Sequence, residues 1–220
     1  NIAIDGPAGA GKSTIAKKVA KELSFIYVDT GAMYRAMALY MIEHKIDVSH
    51  LDEVGSACDA ITIDIQYSAG EQQVILNGKN VNDFIRTETV SEMSSKISAI
   101  PEVREKLLSL QRSLAAAENV IMDGRDIGTH VLPNADVKIF LTADAHVRAV
   151  RRYEEFIAKG VSCTLENVER EVIERDERDM NRAIAPLKQA EDAVRVDTSA
   201  MTIEEVVCYL KNLIGQAVAR

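Results

Sequence analysis

An α/β fold, with a parallel sheet flanked by helices, is predicted by three observations. Short apolar runs alternate with longer stretches of helical periodicity along most of the chain, the pattern of strands linked by crossover helices. Several of those runs stop at clusters of Asp, Gly and Arg, as expected where strands end at a ligand-binding edge. One run, Ile2-Ala3-Ile4, leads almost directly into Gly6-Pro7-Ala8-Gly9-Ala10-Gly11-Lys12-Ser13, a match to G-x-x-x-x-G-K-[ST].

That match sits in the context its chemistry requires. A short buried strand precedes it. After it, Ile15, Val19 and Leu23 recur at helical spacing among lysines, so a helix opens at Lys12. Glycines let the backbone curl around an anion with N–H groups pointing inward, and the helix N-terminus adds partial positive charge. Lys12 is positioned to reach β/γ-phosphates and the Ser13 hydroxyl to ligate Mg²⁺ carried by a nucleotide. Gly6 to Ser13, together with Thr14, are therefore the expected ATP-binding residues. The predicted architecture is the three-layer phosphate-loop NTPase fold.

The remaining elements follow in order. Phe25-Ile26-Tyr27-Val28 reads as a second strand. The helix after it carries Met33, Ala36, Met37, Tyr40 and Met41 as apolar positions, the methionines read as core filling. Residues 51–60 read as a short helix. Period-two alternation then appears at Ile61-Thr62-Ile63-Asp64-Ile65 and Val74-Ile75-Leu76, followed by the tight-turn pair Asn77-Gly78, which predicts a small antiparallel insertion. Residues 83–98 and 101–117 read as helices, with Pro101 suited to a first turn. Strands are expected at 120–122, 137–141 and 194–197, and helices at 145–158, 164–181 and 202–219.

Composition bounds the function. The 220 residues suit one large domain with small insertions, and 47% of them are hydrophobic, enough for a sizeable core. A net charge of −8 argues against a general nucleic-acid or membrane surface, which needs a basic excess; local arginines can still hold a small anion. Cys58, Cys163 and Cys208 are far apart and odd in number, which predicts reduced thiols in a cytoplasmic protein. No leader peptide and no transmembrane segment are expected. His44, His50, His130 and His146 show no metal-ligand grouping.

Three further clusters carry chemistry. Asp29-Thr30-Gly31-Ala32-Met33-Tyr34-Arg35 places Arg35 one helical turn in, where its parallel donors match phosphate oxygens. Alone, the cluster reads equally as a Thr30 helix cap with a solvated arginine; the phosphate loop favours the binding role. Asp123-Gly124-Arg125-Asp126-Ile127-Gly128 ends a strand, so Asp123 is a candidate for the Mg²⁺ shell, with capping of the next turn as its bland role. Arg125 and Asp126 read either as an ion pair or as ligand contacts. In the run from Glu174 to Arg182, Arg175, Arg178 and Arg182 fall within a 60° arc on an ideal helix, bordering the stripe of Leu165, Val168 and Val172. Either this is a solvated helix face with i, i+4 pairs, or it is a lid whose arginines meet transferring phosphates. Arg148, Arg151 and Arg152 upstream, across Lys159-Gly160, favour the lid.

Taken together these segments resemble the bacterial cytidylate (CMP) kinases of the nucleoside monophosphate kinase superfamily. The resemblance rests on Ile4 to Thr14, Asp29 to Arg35, Asp123 to Thr129, and Glu174 to Pro186. Asp-Gly-Arg-Asp and Asn-Arg-Ala-Ile-Ala-Pro are its most specific parts, and the antiparallel insertion belongs to it as well. It implies a single kinase domain: a core of residues 1–56, 86–147 and 183–220, a monophosphate-binding insertion over about 57–85, and a lid over about 148–182. It implies ATP and CMP or dCMP as substrates, with Mg²⁺, in a monomeric cytoplasmic enzyme of pyrimidine nucleotide metabolism. Ser95, Arg104 and Asp126 would read cytosine. Thr30, Arg35, Arg125 and Arg182 would hold the monophosphate, and Arg175 and Asp179 would lie near the sugar. Lys12, Arg125, Arg175 and Arg178 would be catalytic, with Arg178 closing over the donor phosphates alongside Arg148 or Arg152. Two rivals stand beside this reading: a kinase for another small acceptor, and a nucleotide-dependent switch. No Asn-Lys-x-Asp guanine reader favours the second.

Overall fold

A computed structural model describes residues 1–218. It divides into two compact units, one of residues 1–26 and 120–220 and the other of residues 27–119.

The first unit is built on β1 (Ile2–Asp5), β6 (Val120–Gly124), β7 (Val137–Thr142) and β8 (Val194–Asp197). These apolar strands pair in parallel, as the alternation of strand and helix requires. Ile2 lies opposite both Ile121 and Val137, and Thr142 lies opposite Asp197. Within the first unit the strand order is β6-β1-β7-β8; β2 is Ile26–Asp29. β1 is thus central, and its side chains from Ile2 to Asp5 are all buried.

Helix α1 (Lys12–Leu23) lies on β1 and β6 and packs against α8 (Ile203–Val218). Its apolar inward positions are Ile15, Ala16, Val19 and Ala20; Ile15 and Val19 are those read from the sequence, whereas Leu23 is half-buried. Helices α6 (Ala145–Ala158) and α7 (Leu165–Asn181) pack on each other across the turn at Gly160, where φ is +73°. Asp144 and Thr164 cap them, accepting from the amides of His146 and Asn167. Between β6 and β7 the chain makes a single π-helical turn, Ile127–Val131, where the sequence shows no periodicity to predict one.

The second unit contains α2 (Thr30–Glu43), α3 (Leu51–Ala60), α4 (Glu88–Ile97) and α5 (Pro101–Ala117) beside a three-stranded antiparallel sheet. Met33, Met37 and Met41 are fully buried in α2, which packs on α4 and α5; they fill the core, as expected. The sheet is β3 (Ile63–Ser68), β4 (Glu71–Leu76) and β5 (Lys79–Asn80). Asn77 and Gly78 both take positive φ, +46° and +81°, the two-residue turn that suits strand twist. Ala69-Gly70 does the same at the other end, with φ of +52° and +80°. That second turn escapes the sequence pattern because Gln66 to Gln73 carries few β-formers.

Two expectations need correction. Helix α4 begins at Glu88 rather than near residue 83, because Thr87 caps it by accepting from the Val90 amide. Residues 83–87 turn instead, with the Phe84 and Ile85 amides bonded to the Val81 carbonyl. Helix α7 ends at Asn181, and Arg182 is extended, with ψ of 141°. The arc of three arginines therefore holds only for Arg175 and Arg178.

Gly6 shows how tightly the sheet fixes the loop. Its φ is +148°, and a Cβ placed there would lie 1.9 Å from the Leu141 carbonyl oxygen of β7, which no backbone adjustment of a central strand accommodates cheaply. Gly6→Ala should lower unfolding free energy by about 3 kcal/mol or more, measured by urea denaturation of the purified protein.

Candidate active site

In the first unit the phosphate loop joins β1 to α1. Gly11 adopts φ of +83° at the N-cap of α1 and leaves that helix end without a side-chain cap, so its first amides remain available to an anion. Lys12 is buried, and its Nζ donates to the Pro7 carbonyl at 2.7 Å. Burial and the neighbouring Arg125 guanidinium push its pKa down to about 7, against the pull of Asp123, Asp5 and Asp179. An arriving phosphate would restore the ammonium.

The parallel register brings Asp123 opposite Ile4, at the start of the loop. There the Ser13 hydroxyl donates to Asp123 Oδ2 at 2.7 Å. A hydroxyl and a carboxylate held together are hard oxygen donors suited to Mg²⁺, which takes few protein ligands and completes its shell from phosphates and water. No group of three or more His, Cys, Asp or Glu side chains suited to a metal occurs among the described residues. Asp123 thus lies against the phosphate loop. Asp197 instead accepts from the amide and hydroxyl of Ser199.

Three buried or half-buried arginines are each tied to a carboxylate. Arg125 Nε donates to Asp179 Oδ2 at 2.8 Å, and Arg182 Nη2 donates to Asp126 Oδ1 at 3.1 Å while its Nε donates to the Ala185 carbonyl. Burial alone would lower the Arg125 pKa; the Asp179 carboxylate outweighs it and holds the guanidinium above its ordinary value. Asp179 in turn lies below the usual carboxylate range, because Arg125, Arg175 and Arg182 outweigh its burial. Arg148 is the third. Its Nε donates to the Ala143 carbonyl, its Nη1 to the Ala8 carbonyl of the phosphate loop, and its Nη2 to Asp176 at 2.6 Å. It thereby clamps α6 and α7 to the loop, and a Cβ on Gly9 would meet it at 3.2 Å. Arg152 lies over the Phe156 ring, Arg175 is half-buried, and Arg178 is exposed on α7.

In the second unit Asp29 organises its own cluster. Its Oδ1 caps α2 through the Ala32 amide, and its Oδ2 accepts from Arg35 at 2.9 Å and Arg86 at 3.3 Å. The cap is therefore Asp29, and Thr30 is the first helical residue, buried. Burial would raise the Asp29 pKa, but the two guanidiniums hold it below its ordinary value. The buried Gln72 of β4 accepts from the Asp29 amide at 2.8 Å and donates to its carbonyl at 3.2 Å, as a neighbouring strand would. Arg104 is buried, donates to the Ser98 carbonyl and lies 6.0 Å over the Tyr34 ring. Ser95 Oγ is buried without a hydrogen bond among the described residues.

Sequence reasoning missed Asp5, Gln72, Arg86 and Asp176. Asp176 alone had a legible signal, since it falls one helical turn from Val172 on the buried face of α7.

A phosphate loop on the central strand of a parallel sheet, with a lysine, a hydroxyl–carboxylate pair and buried arginines at one edge, defines a phosphoryl-transfer enzyme of the phosphate-loop class. A solved structure from Eubacterium ventriosum, described as an uncharacterized protein, shares the fold at a TM-score of 0.52 and 14% identity, covering 100% of this chain and 98% of that one. The family model "Cytidylate kinase" matches residues 2–216. Proteins described as cytidylate kinase from Carboxydothermus hydrogenoformans and Bacillus cytotoxicus are 52% and 46% identical to it. The alignments cover 98% and 100% of this chain and 97% and 98% of those relatives. The chain belongs to the cytidylate kinase family and is an ATP-dependent phosphotransferase.

Two outcomes test the electrostatics. Asp176→Ala leaves the Arg148 guanidinium buried without its carboxylate and should cost about 3–5 kcal/mol, read by urea denaturation. His146 Nδ1 lies 2.9 Å from Glu169 Oε2, and that carboxylate raises the imidazole pKa. The imidazolium is the form the pair favours, so Glu169→Gln should move the His146 midpoint to lower pH in a proton NMR titration.

Proposed function

We propose that this chain transfers the γ-phosphoryl group of MgATP to CMP or dCMP, giving ADP and CDP or dCDP. The reading is carried by one coincidence: a chain of the cytidylate kinase family holds, within one unit, both a phosphate loop and the Arg125–Asp179 and Arg182–Asp126 pairs. A phosphate oxygen of the acceptor attacks the γ-phosphorus, the bond to the β,γ-bridging oxygen breaks, and ADP leaves. No covalent enzyme intermediate is needed, so catalysis comes from alignment and charge neutralisation.

In the first unit, Gly6 to Thr14 cradle the donor phosphates and Lys12 neutralises charge on them. Ser13 and Asp123 would hold the Mg²⁺, which screens the phosphates when bound. Arg125 and Arg182 hold the acceptor's phosphate, Arg175 and Asp179 its sugar, and Asp126 its base. Arg178 and Arg152 belong to a lid over residues 148–182 that hinges near Gly160 and excludes water. Arg148, which also donates to Ala143, Ala8 and Asp176, belongs to the donor-phosphate site beside Arg152. In the second unit, Thr30 and Arg35 serve the acceptor phosphate and Ser95 and Arg104 the base, with residues 57–85 as the acceptor-side insertion.

Cytosine offers an N4 amino donor where uracil offers an acceptor, so a carboxylate at Asp126 selects against uracil, and buried polar groups left unpaired discriminate strongly. Among the described residues no helix is long and apolar enough to cross a membrane. The enzyme is read as a cytoplasmic monomer of pyrimidine nucleotide metabolism.

An ATP-coupled assay with CMP, dCMP, UMP and AMP tests this reading: CMP and dCMP should be used at least about tenfold better than UMP, and comparable use of all would overturn it. Lys12→Ala should keep its circular dichroism spectrum and lose roughly a hundredfold or more in turnover; near-normal turnover removes Lys12 from the mechanism.

A further inference from the structure

Asp5 is the last residue of β1, immediately before the phosphate loop, and is 4% exposed. Neither of its carboxylate oxygens bonds to that loop. Oδ1 accepts from the Ile127 amide and Oδ2 from the Gly128 amide, both at 2.7 Å. These are the first two amides of the π-helical turn that follows Asp126, groups that no carbonyl within the turn satisfies. From the other side, the Asp126 carbonyl accepts from the His130 and Val131 amides. The backbone that follows Asp126 is therefore held twice, by its own turn and, across the sheet, by Asp5. The Asp126 side chain accepts from Arg182.

Burying a carboxylate is costly unless it is fully hydrogen-bonded, and desolvation raises the Asp5 pKa to about 6 against the pull of the two amides. The fold accepts that cost at a position where an apolar residue would extend the buried strand Ile2-Ala3-Ile4. The space around the contact is closed as well: a Cβ on Gly128 would lie 3.3 Å from Asp5 Oδ2 and 3.1 Å from Lys138 Cδ.

We propose that Asp5 is a positioning residue for base selection, tying the loop that carries Asp126 to the strand that launches the phosphate loop. This rests on the reading of Asp126 as the cytosine contact. Asp5 itself touches neither nucleotide. In Asp5→Asn one carboxylate oxygen becomes an NH₂ group facing a backbone N–H, so one of the two bonds is lost and the Asp126 loop shifts.

The test is steady-state kinetics of wild type, Asp5→Asn and Gly128→Ala with CMP and UMP at saturating ATP, and with ATP varied at saturating CMP. Asp5→Asn should raise the KM for CMP roughly tenfold to a hundredfold, as expected for a lost charged hydrogen bond. It should shrink the CMP-over-UMP preference by a similar factor and change the KM for ATP less than about threefold. If Asp5→Asn does not fold, Gly128→Ala carries the test, with a several-fold rise in KM for CMP and the same loss of preference. Unchanged CMP preference in the folded variant, or equal losses toward ATP and CMP with the preference intact, would overturn the proposal. A wild type that does not prefer CMP would overturn the role of Asp126, and this proposal with it. A wild type that prefers CMP beside a variant that keeps that preference overturns only the role of Asp5.

Discussion

Pairing between a buried guanidinium and a carboxylate sets the terms for everything else at this site. A kinase must present fixed positive charge to two polyanions, yet an arginine taken out of water without a counter-charge destabilises the protein that holds it. Here, in the first unit, Arg125 with Asp179, Arg182 with Asp126 and Arg148 with Asp176 meet that condition. Arg148 also donates to the Ala143 and Ala8 carbonyls. The acidic residues that give the chain its net charge of −8 are thus in part what allows its cationic site to exist.

The phosphate loop is held mostly by contacts from elsewhere in the chain. Its glycines give it the required curvature, but they also make it entropically costly to order. Order comes from two outside contacts and one internal bond: β7 closes against Gly6, Arg148 holds the Ala8 carbonyl, and Lys12 returns to Pro7. Two of these three restraints come from segments more than a hundred residues away in sequence.

The same distance marks the limit of what the sequence discloses. The strands, most helices and the phosphate loop are legible because their signals are local: apolar runs, helical spacing, glycine pattern. The Asn77-Gly78 turn is legible for the same reason, and Ala69-Gly70 is not, because its flanks lack β-formers. Asp123 at the loop follows from strand ends meeting at one sheet edge. The partners of the arginines do not follow. Arg182 fits the helical arc of Arg175 and Arg178 on paper, but it lies just past the helix end and donates to Asp126 and Ala185. Asp5 looks like one polar residue ending an apolar strand, and only the π-helical turn reveals what it holds. Gln72 is still less visible, since an amide standing in for a strand partner leaves no pattern at all.

The central place of β1 has a consequence for how the chain is made. Its two neighbours pair through Ile121 and Val137, so on a ribosome working from the N-terminus the first strand emerges long before either exists. More than a hundred further residues must be synthesised before that apolar segment can be enclosed, and closing such long loops is slow. During translation the nucleotide-gripping end of this enzyme therefore emerges well before the strands that enclose it and matures late, exposed meanwhile to chaperones and to neighbouring nascent chains.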